Sequence, residues 1–442
     1  MKFFQSAALA LAMTSTLFSA DWPRWMGADR DGVWKEDGIR KDLPAEGAKV
    51  LWRSPISWGY SAPVVSNGKI FVADFERSQG ELINNAGKAV VWKGKERLHC
   101  LDLETGKTIW TTAVDRNNYK LSYPGGPRAT PTVDGDRVYF LGAMGHFYCA
   151  SAKDGQILWQ KDFTKEFNAP QPIWGFAASP LVHGDLVYSI VGGPGSVVVA
   201  FDKLTGEVKW SGLDSEKQGY CPPSLVKAGG VEQLLIWHPE ALNGLNPETG
   251  EVYWSLPLKP NFGMSVMMPQ VSENKLFASG IGRVAALIKL DEQKPAASFI
   301  WRGKPKTAVY SCNSTPLIVD GVIYGADIDS SELIAASLED GERFWSTPEP
   351  VTDPAHRRGG RHGTAFLTYH AGNKQFWIFN EAGHLILAKL SPKGYEEIGR
   401  QALLKPTNEA FGRPVVWSAP AFAEKSVIVR NDQEIIRVDL AE

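Results

Sequence analysis

The chain has 442 residues, 43% of them hydrophobic and 22% charged, with a formal net charge of −2. This is an ordinary globular composition, and its near-balance of charge argues against a nucleic-acid or anionic-membrane surface as the main partner. Cys100 and Cys149 each stand six residues before a repeated glycine, where a third copy has Ala200. They read as small buried side chains, and with Cys221 and Cys312 they are expected to be free thiols.

In chain order, residues 1–20 carry Lys2, an apolar run from Ala7 to Leu17 and the small pair Ser19-Ala20. This pattern predicts a secretory signal peptide cut before Asp21, with a periplasmic or secreted product. Removing Lys2 shifts the net charge to −3. No cysteine stands at the cut to carry a lipid anchor, and no later run approaches the roughly 18 apolar residues of a spanning helix. Residues 21–48 hold Trp22-Pro23-Arg24-Trp25-Met26-Gly27 and then Asp29-Arg30-Asp31-Gly32, an irregular arm whose two tryptophans predict packing on the body.

Residues 49–442 are built from repeats. Thr105-Gly106, Thr205-Gly206 and Thr249-Gly250, with the variants Asp154-Gly155 and Asp340-Gly341, each precede a tryptophan four positions on: Trp110, Trp210, Trp254, Trp159 and Trp345. The glycine suits a tight turn with positive φ, and the chain is then back in a strand that aims the indole at one face. A small residue followed by proline opens each unit, at Pro63, Pro131, Pro180, Pro223, Pro269, Pro316 and Pro420, with a degenerate version at Gly363-Thr364-Ala365. Proline fits the first residue of a strand, where no ladder donor is needed. Strands and turns such as Asp134-Gly135 and Asp320-Gly321 complete four antiparallel strands per unit.

Successive tryptophans, including Trp301, lie 44 to 51 residues apart, the period of a propeller blade. The expected fold is therefore all-β, an eight-bladed β-propeller. Blade 1 carries an insertion around 76–95, read as a surface loop. Blade 5 lacks the turn glycine (Asp291-Glu292-Gln293), and blade 7 lacks the tryptophan. The last unit is one strand short, and the orphan strand ending Val50-Leu51-Trp52 is expected to complete it and shut the ring. Trp52, Trp110, Trp159, Trp210, Trp254, Trp301 and Trp345 are the expected wedges between neighbouring blades.

The Ala200-Phe201-Asp202-x-x-Thr205-Gly206-x-x-x-Trp210 pattern resembles the repeat of pyrroloquinoline-quinone (PQQ) type propellers across 49–440, a family that includes quinoprotein dehydrogenases and an outer-membrane assembly lipoprotein. The arm at 22–32 is similar to one in exported planctomycete members. The resemblance implies the fold more than any activity. A quinoprotein would need a Ca²⁺ cage and an Asp base. The adjacent cysteine pair of quinoprotein alcohol dehydrogenases is missing, as is any Cys-x-x-Cys-His haem motif.

Loops leading into the blades of a propeller gather at the central channel. Those positions give Trp58, Tyr60, Arg128, Trp174, Tyr220 with Cys221, Met267, Tyr310, Asn313, Arg361, His362, Arg413 and Trp417 as candidate ligand-binding residues. Aromatic faces with three arginines suit a flat anionic ligand or a sugar, and the same aromatics also suit simple packing in the throat. The stretch 327–332 is read as a solvated turn rather than a calcium loop, and 356–362 as a basic surface loop. No metal site, nucleophile elbow or phosphate loop is found. The expected role is a monomeric, non-catalytic binding or scaffold protein for a protein or polysaccharide of the cell envelope, with no cofactor. The alternative is a PQQ- and Ca²⁺-dependent oxidoreductase.

Overall fold

A computed structural model describes residues 21–442 apart from 45, 84, 86, 124 and 353–360. The expected signal peptide and the basic stretch 356–360 lie outside the described residues. Eight four-stranded antiparallel units form the ring: blades 1 to 7 span 64–121, 132–162, 181–212, 224–257, 270–302, 317–347 and 365–402, and blade 8 spans 421–439 plus Val50–Pro55. Helix among the described residues is limited to Phe163–Glu166 and a 3₁₀ turn at Asn261–Gly263.

Seven innermost strands start at the residue after the signature proline, as at Val64, Leu181 and Ala421, and blade 7 starts at Ala365. The second and third strands of each blade lie between two neighbouring blades. They are therefore buried on both faces and read as continuous apolar runs, such as Leu234-Leu235-Ile236-Trp237 and Leu385-Ile386-Leu387-Ala388. Outer strands are half-exposed and alternate, as Val50–Pro55 and Ala297–Arg302 do.

The repeat glycines all have positive φ, from 67° at Gly106 to 77° at Gly250 and Gly341. A second constraint is steric. A Cβ on Gly106 would lie 2.5 Å from the indole of Trp52, and one on Gly250 would lie 2.5 Å from that of Trp210. Each indole reaches the turn of the following blade and donates its N–H to a carbonyl three residues before the glycine: Trp52 to Leu103 (2.8 Å), Trp159 to Lys203 (3.1 Å), Trp210 to Pro247 (2.9 Å) and Trp301 to Leu338 (3.0 Å). Trp110 reaches Ala152 at 3.4 Å, and Trp345 reaches Ser391 at 2.7 Å.

Trp254 departs from the expected pattern. Blade 5 offers no turn glycine, and this indole donates instead to Gln233 Oε1 of its own blade at 2.6 Å. Each blade also carries a register shift between its third and outer strands, beside Trp110, Trp159 and Trp210 for example. Such bulges swing the outer strand so that its indole faces the next blade.

Val50 pairs with Val438 and Trp52 with Arg437, so the early strand is the outer strand of blade 8. Arg437 donates to Leu103 O and to the Glu104 carboxylate of blade 1, and the fully buried Arg430 donates to Ala73 O and Ser57 O. Three long side chains thus cross this seam.

Two sequence readings are corrected here. The 76–95 region is no loose loop: Lys69–Gln79, Val90–Asp102 and Thr108–Leu121 run on as extended strands. Phe75, Trp92 and Tyr119 form a satellite core above the blade, with Phe75 and Tyr119 centroids 4.1 Å apart. The 327–332 turn is not solvated throughout. Asp327 is buried, accepts the backbone N–H groups of Tyr310, Asp329 and Ser330, and pairs with Arg343 at 2.8 Å.

The arm at 22–40 runs against the innermost strands. These strands have no further partner toward the axis, so their free backbone groups need one. Trp22 pairs with Val65, Val133 N–H donates to Pro23 O, and Arg30 donates to Pro180 O and Pro223 O. Val33–Trp34 lies parallel to Tyr369–His370, and Ile39 bridges Ala441. Five of the eight blades are therefore tied from the inside, and Ile39 adds a bridge to the chain just after the third strand of blade 8.

Replacing Trp52 with alanine should cost about 3–5 kcal/mol and raise amide exchange in blades 8 and 1 together. The same change at Trp254, whose N–H stays within its blade, should raise exchange mainly in blades 4 and 5. Hydrogen-exchange mass spectrometry checks both, and loosening confined to blade 8 in the Trp52 variant would contradict the interlock.

Candidate functional site

On the face where the loops lead into the blades, the channel opens as a cavity of about 730 Å³. Its floor includes Trp25 of the arm. Trp25 also lines a second, water-sized space of about 30 Å³ between the arm and the signature segments of several blades. The arm thus fills the channel beneath the cavity and turns a through-hole into a one-ended cup.

Of the sequence candidates, Tyr60, Arg128, Trp174, Tyr220, Asn313, Arg361, His362 and Trp417 line the cup, as does Met267. Trp58, Tyr310 and Arg413 do not. Trp58 packs edge-on to Trp92 under the long hairpin of blade 1. Tyr310 is buried, and its hydroxyl donates to Lys304 O. Arg413 is held by Glu381 through contacts of 2.6 and 3.1 Å, with both side chains buried. The sequence placed these three near the right loops but could not fix which way each side chain turns.

The Glu381 carboxylate also accepts from the indole of Trp417 at 3.4 Å and from Thr364 N–H at 3.1 Å. The Arg413–Glu381 pair therefore acts through Trp417, holding it at the wall. Around Trp417 lies an aromatic collar. The imidazole of His362 stacks on Phe411 at 4.5 Å and 7°, and Tyr123 meets both Phe411 and Trp417. Arg128 stacks on Tyr60 at 5.3 Å and donates to the carbonyls of Gly126, Ser122 and Tyr123. Across the cup Trp174 and Tyr220 are 5.9 Å apart.

Residues that sequence reasoning missed are Trp25, Tyr123, Ile173, Lys217, Phe262, Phe366 and Phe411. Phe411 sits at the turn of an extra hairpin, Asn408–Ala410 with Arg413–Val415. One signal was available: Tyr123, Phe262 and Phe411 each sit in a Gly- or Pro-rich stretch ahead of a signature proline. Nothing in the sequence pointed to Trp25, whose place depends on the arm's path.

Electrostatically the cup is one-sided. Its described lining includes Arg128, Lys217 and Arg361 and no Asp or Glu. Burial, reinforced by Arg413 and Arg361, pushes His362 down to about 4, so it is neutral near pH 7. Burial pushes the Cys312 thiol up to about 12 and Tyr220 well above its ordinary value, which leaves neither as a nucleophile or base. A Ca²⁺ ion takes six to eight oxygen ligands, usually with several carboxylates. Asn313, Ser179, Thr315 and three tyrosines are the described side-chain oxygens here. That donor set does not fit the calcium-and-quinone arrangement with an Asp base, and no step is derived through it.

Fold and cup together define a closed eight-bladed propeller with a blind, aromatic and cationic pocket on one face. A family model described as "Outer membrane protein assembly factor BamB" matches residues 94–347, more than half of the chain, and the protein belongs to that family. The outer membrane protein assembly factor BamB of Yersinia pestis is 25% identical over 221 residues, covering 49% of this chain and 55% of that relative. The matched segment thus spans little more than half the relative's length. The crystal structure of BamB from Moraxella catarrhalis superposes with a TM-score of 0.54 at 13% identity, covering 87% of this chain and 96% of that one. The quinohemoprotein alcohol dehydrogenase from Comamonas testosteroni gives 0.47 at 14% identity over 96% and 81%.

Histidine burial predicts a pH dependence of stability. His146, desolvated and near Arg116, is also pushed down to about 4. Below the ordinary 6.5 the unfolded chain takes up these protons before the folded one does, so folding weakens as pH falls from 6.5 to 4. The melting temperature should drop across that window, and a double variant His146→Gln, His362→Gln should flatten the drop. An equal slope in both proteins would contradict the assignment.

Proposed function

We propose that this protein is an exported, non-catalytic binding and scaffold protein of the cell envelope that presents its cup to a protein partner. The observation that carries this reading is strain around the pocket. Tyr123, Phe262, His362 and Phe411 all line the cup with φ between 48° and 62°. For bulky residues this region is disfavoured by roughly 1–2 kcal/mol each. Such strain persists where the surroundings impose it, and it clusters at binding sites. Here it holds apolar rings at the opening: Phe262 is 72% exposed and Phe411 45%. Exposed apolar rings on a rigid frame favour a docking role.

The family description supports an assembly partner among the proteins of the outer membrane, and the reading of residues 1–20 supports export. Among the described residues the lining of the cup offers no acid–base pair with matched environments, which favours binding over catalysis. The aromatic walls also suit a sugar, so a polysaccharide partner is an outcome the experiment must distinguish.

Phe262→Ser and Phe411→Ser, singly and together, should leave the melting temperature within a few degrees or raise it, because the strained rings are exposed. Capture of envelope proteins by the immobilised protein should fall several-fold in the double variant. Unchanged capture, or capture abolished by polysaccharide digestion alone, would overturn the proposal. Incubation with PQQ and Ca²⁺ should give no bound chromophore and no dye reduction.

A further inference from the structure

The shape and charge of the cup say more about what enters it, on the reading that it is a protein-binding site. Trp25 and the arm close its lower end, so an extended chain cannot pass through the ring. What enters must stop there, as a chain terminus or a side-chain tip. The volume of about 730 Å³ accommodates several residues rather than one ring. The walls are mostly aromatic and aliphatic, so those residues must be apolar.

The ionic groups then choose between the two ends of a chain. The described lining has three permanent cations and no carboxylate. Arg128 is held by three backbone carbonyls, which orient its guanidinium without neutralising it, and it makes no ion pair among the described residues. Lys217 and Arg361 are exposed at the opening, likewise without an ion pair among the described residues. His362 is held flat on Phe411. A terminal ammonium would face three cations and no carboxylate in the described lining, Asp329 and Glu96 standing outside it, whereas a terminal carboxylate would find charge-assisted donors in a largely apolar setting where they count most.

We infer that the cup captures the free carboxyl terminus of a partner polypeptide, with its last apolar side chains turned down toward Trp25, Trp174 and Trp417 and its carboxylate turned to the wall and opening, where Arg128, Lys217 and Arg361 stand. Arginine and lysine neutralise the terminal charge, and the floor at Trp25 limits the size of the side chains that enter.

The test uses pools of hexapeptides whose last two positions vary over Phe, Tyr, Leu and Val, prepared as free acids and as carboxyl amides, with binding read by tryptophan fluorescence and calorimetry. The free acids should bind, and amidation should weaken them by on the order of tenfold or more, the worth of hydrogen bonds to a charged group. A double variant Arg361→Gln, Lys217→Gln, changing two exposed side chains, should weaken the acids but not the amides. Trp25→Ala, which lowers the floor, should shift the preference at the two varied positions toward the larger side chains, Phe and Tyr.

Equal binding of acids and amides overturns the inference, as does absence of binding by both pools. A small aromatic acid such as benzoate binding as tightly as the peptides would also overturn it, in favour of a small-molecule site. If the peptides fail while Phe262 and Phe411 still govern capture of an envelope protein, the docking role stands and only the terminus assignment falls.

Discussion

The structure depends on one repeated contact, an indole laid on a glycine of the neighbouring blade. A propeller has no single central core. Each blade buries its two faces only against the blades beside it, so stability is a sum of interfaces around a circle. At six of the eight interfaces the tryptophan contributes area, and its N–H meets a turn carbonyl that would otherwise be buried without a partner. Glycine is required twice over at that turn, for its positive φ and for the indole occupying the position of a Cβ. Where blade 5 lacks the glycine, Trp254 keeps its apolar packing and finds Gln233 instead. The interface survives because burial and hydrogen bonding can be satisfied separately.

Closing the circle leaves a second problem at its centre. Eight innermost strands present unpaired backbone groups to the axis, and the arm answers several of them. Arg30 shows how far this goes: it is buried, its guanidinium spans Pro180 O and Pro223 O, and burial with Arg24 nearby lowers it to about 9. A buried cation without a carboxylate is costly. It is tolerated because it fastens two blades to one segment. The same segment places Trp25 under the cup, so the feature that stabilises the axis also sets the depth of the site.

The cup combines two properties that a merely packed throat would lack. Four of its rings are held in disfavoured backbone conformations, Phe262 and Phe411 with large exposure, and the charge of its described lining is of one sign. The Arg413–Glu381 pair sits just behind the wall, neutral as a unit, and steers Trp417 without adding negative charge to the lining. The proposed preference of the opening for anionic, apolar groups rests on this separation of a neutral buried pair from exposed cations.

Blade count, strand order and the identity of the inter-blade tryptophans could be read from the sequence because local rules and the global fold agree at those positions. Gly106 and Trp110 are four residues apart, and a turn followed by a strand fixes where each points. Side chains in the loops obeyed no such rule. Tyr60 and Arg128 face the cup while Trp58, at a comparable position, turns into a satellite core and Arg413 turns onto Glu381, and the 76–95 hairpin escaped notice because Phe75, Trp92 and Tyr119, which pack it, come one from each of three successive strands. The sequence alone determined the repeat, and with it the ring, since that information is written at short range. The tertiary structure alone decided that the arm enters the channel, that Trp25 becomes a floor and that the described lining of the cup carries no acid, because each follows from where segments hundreds of residues apart meet at one axis.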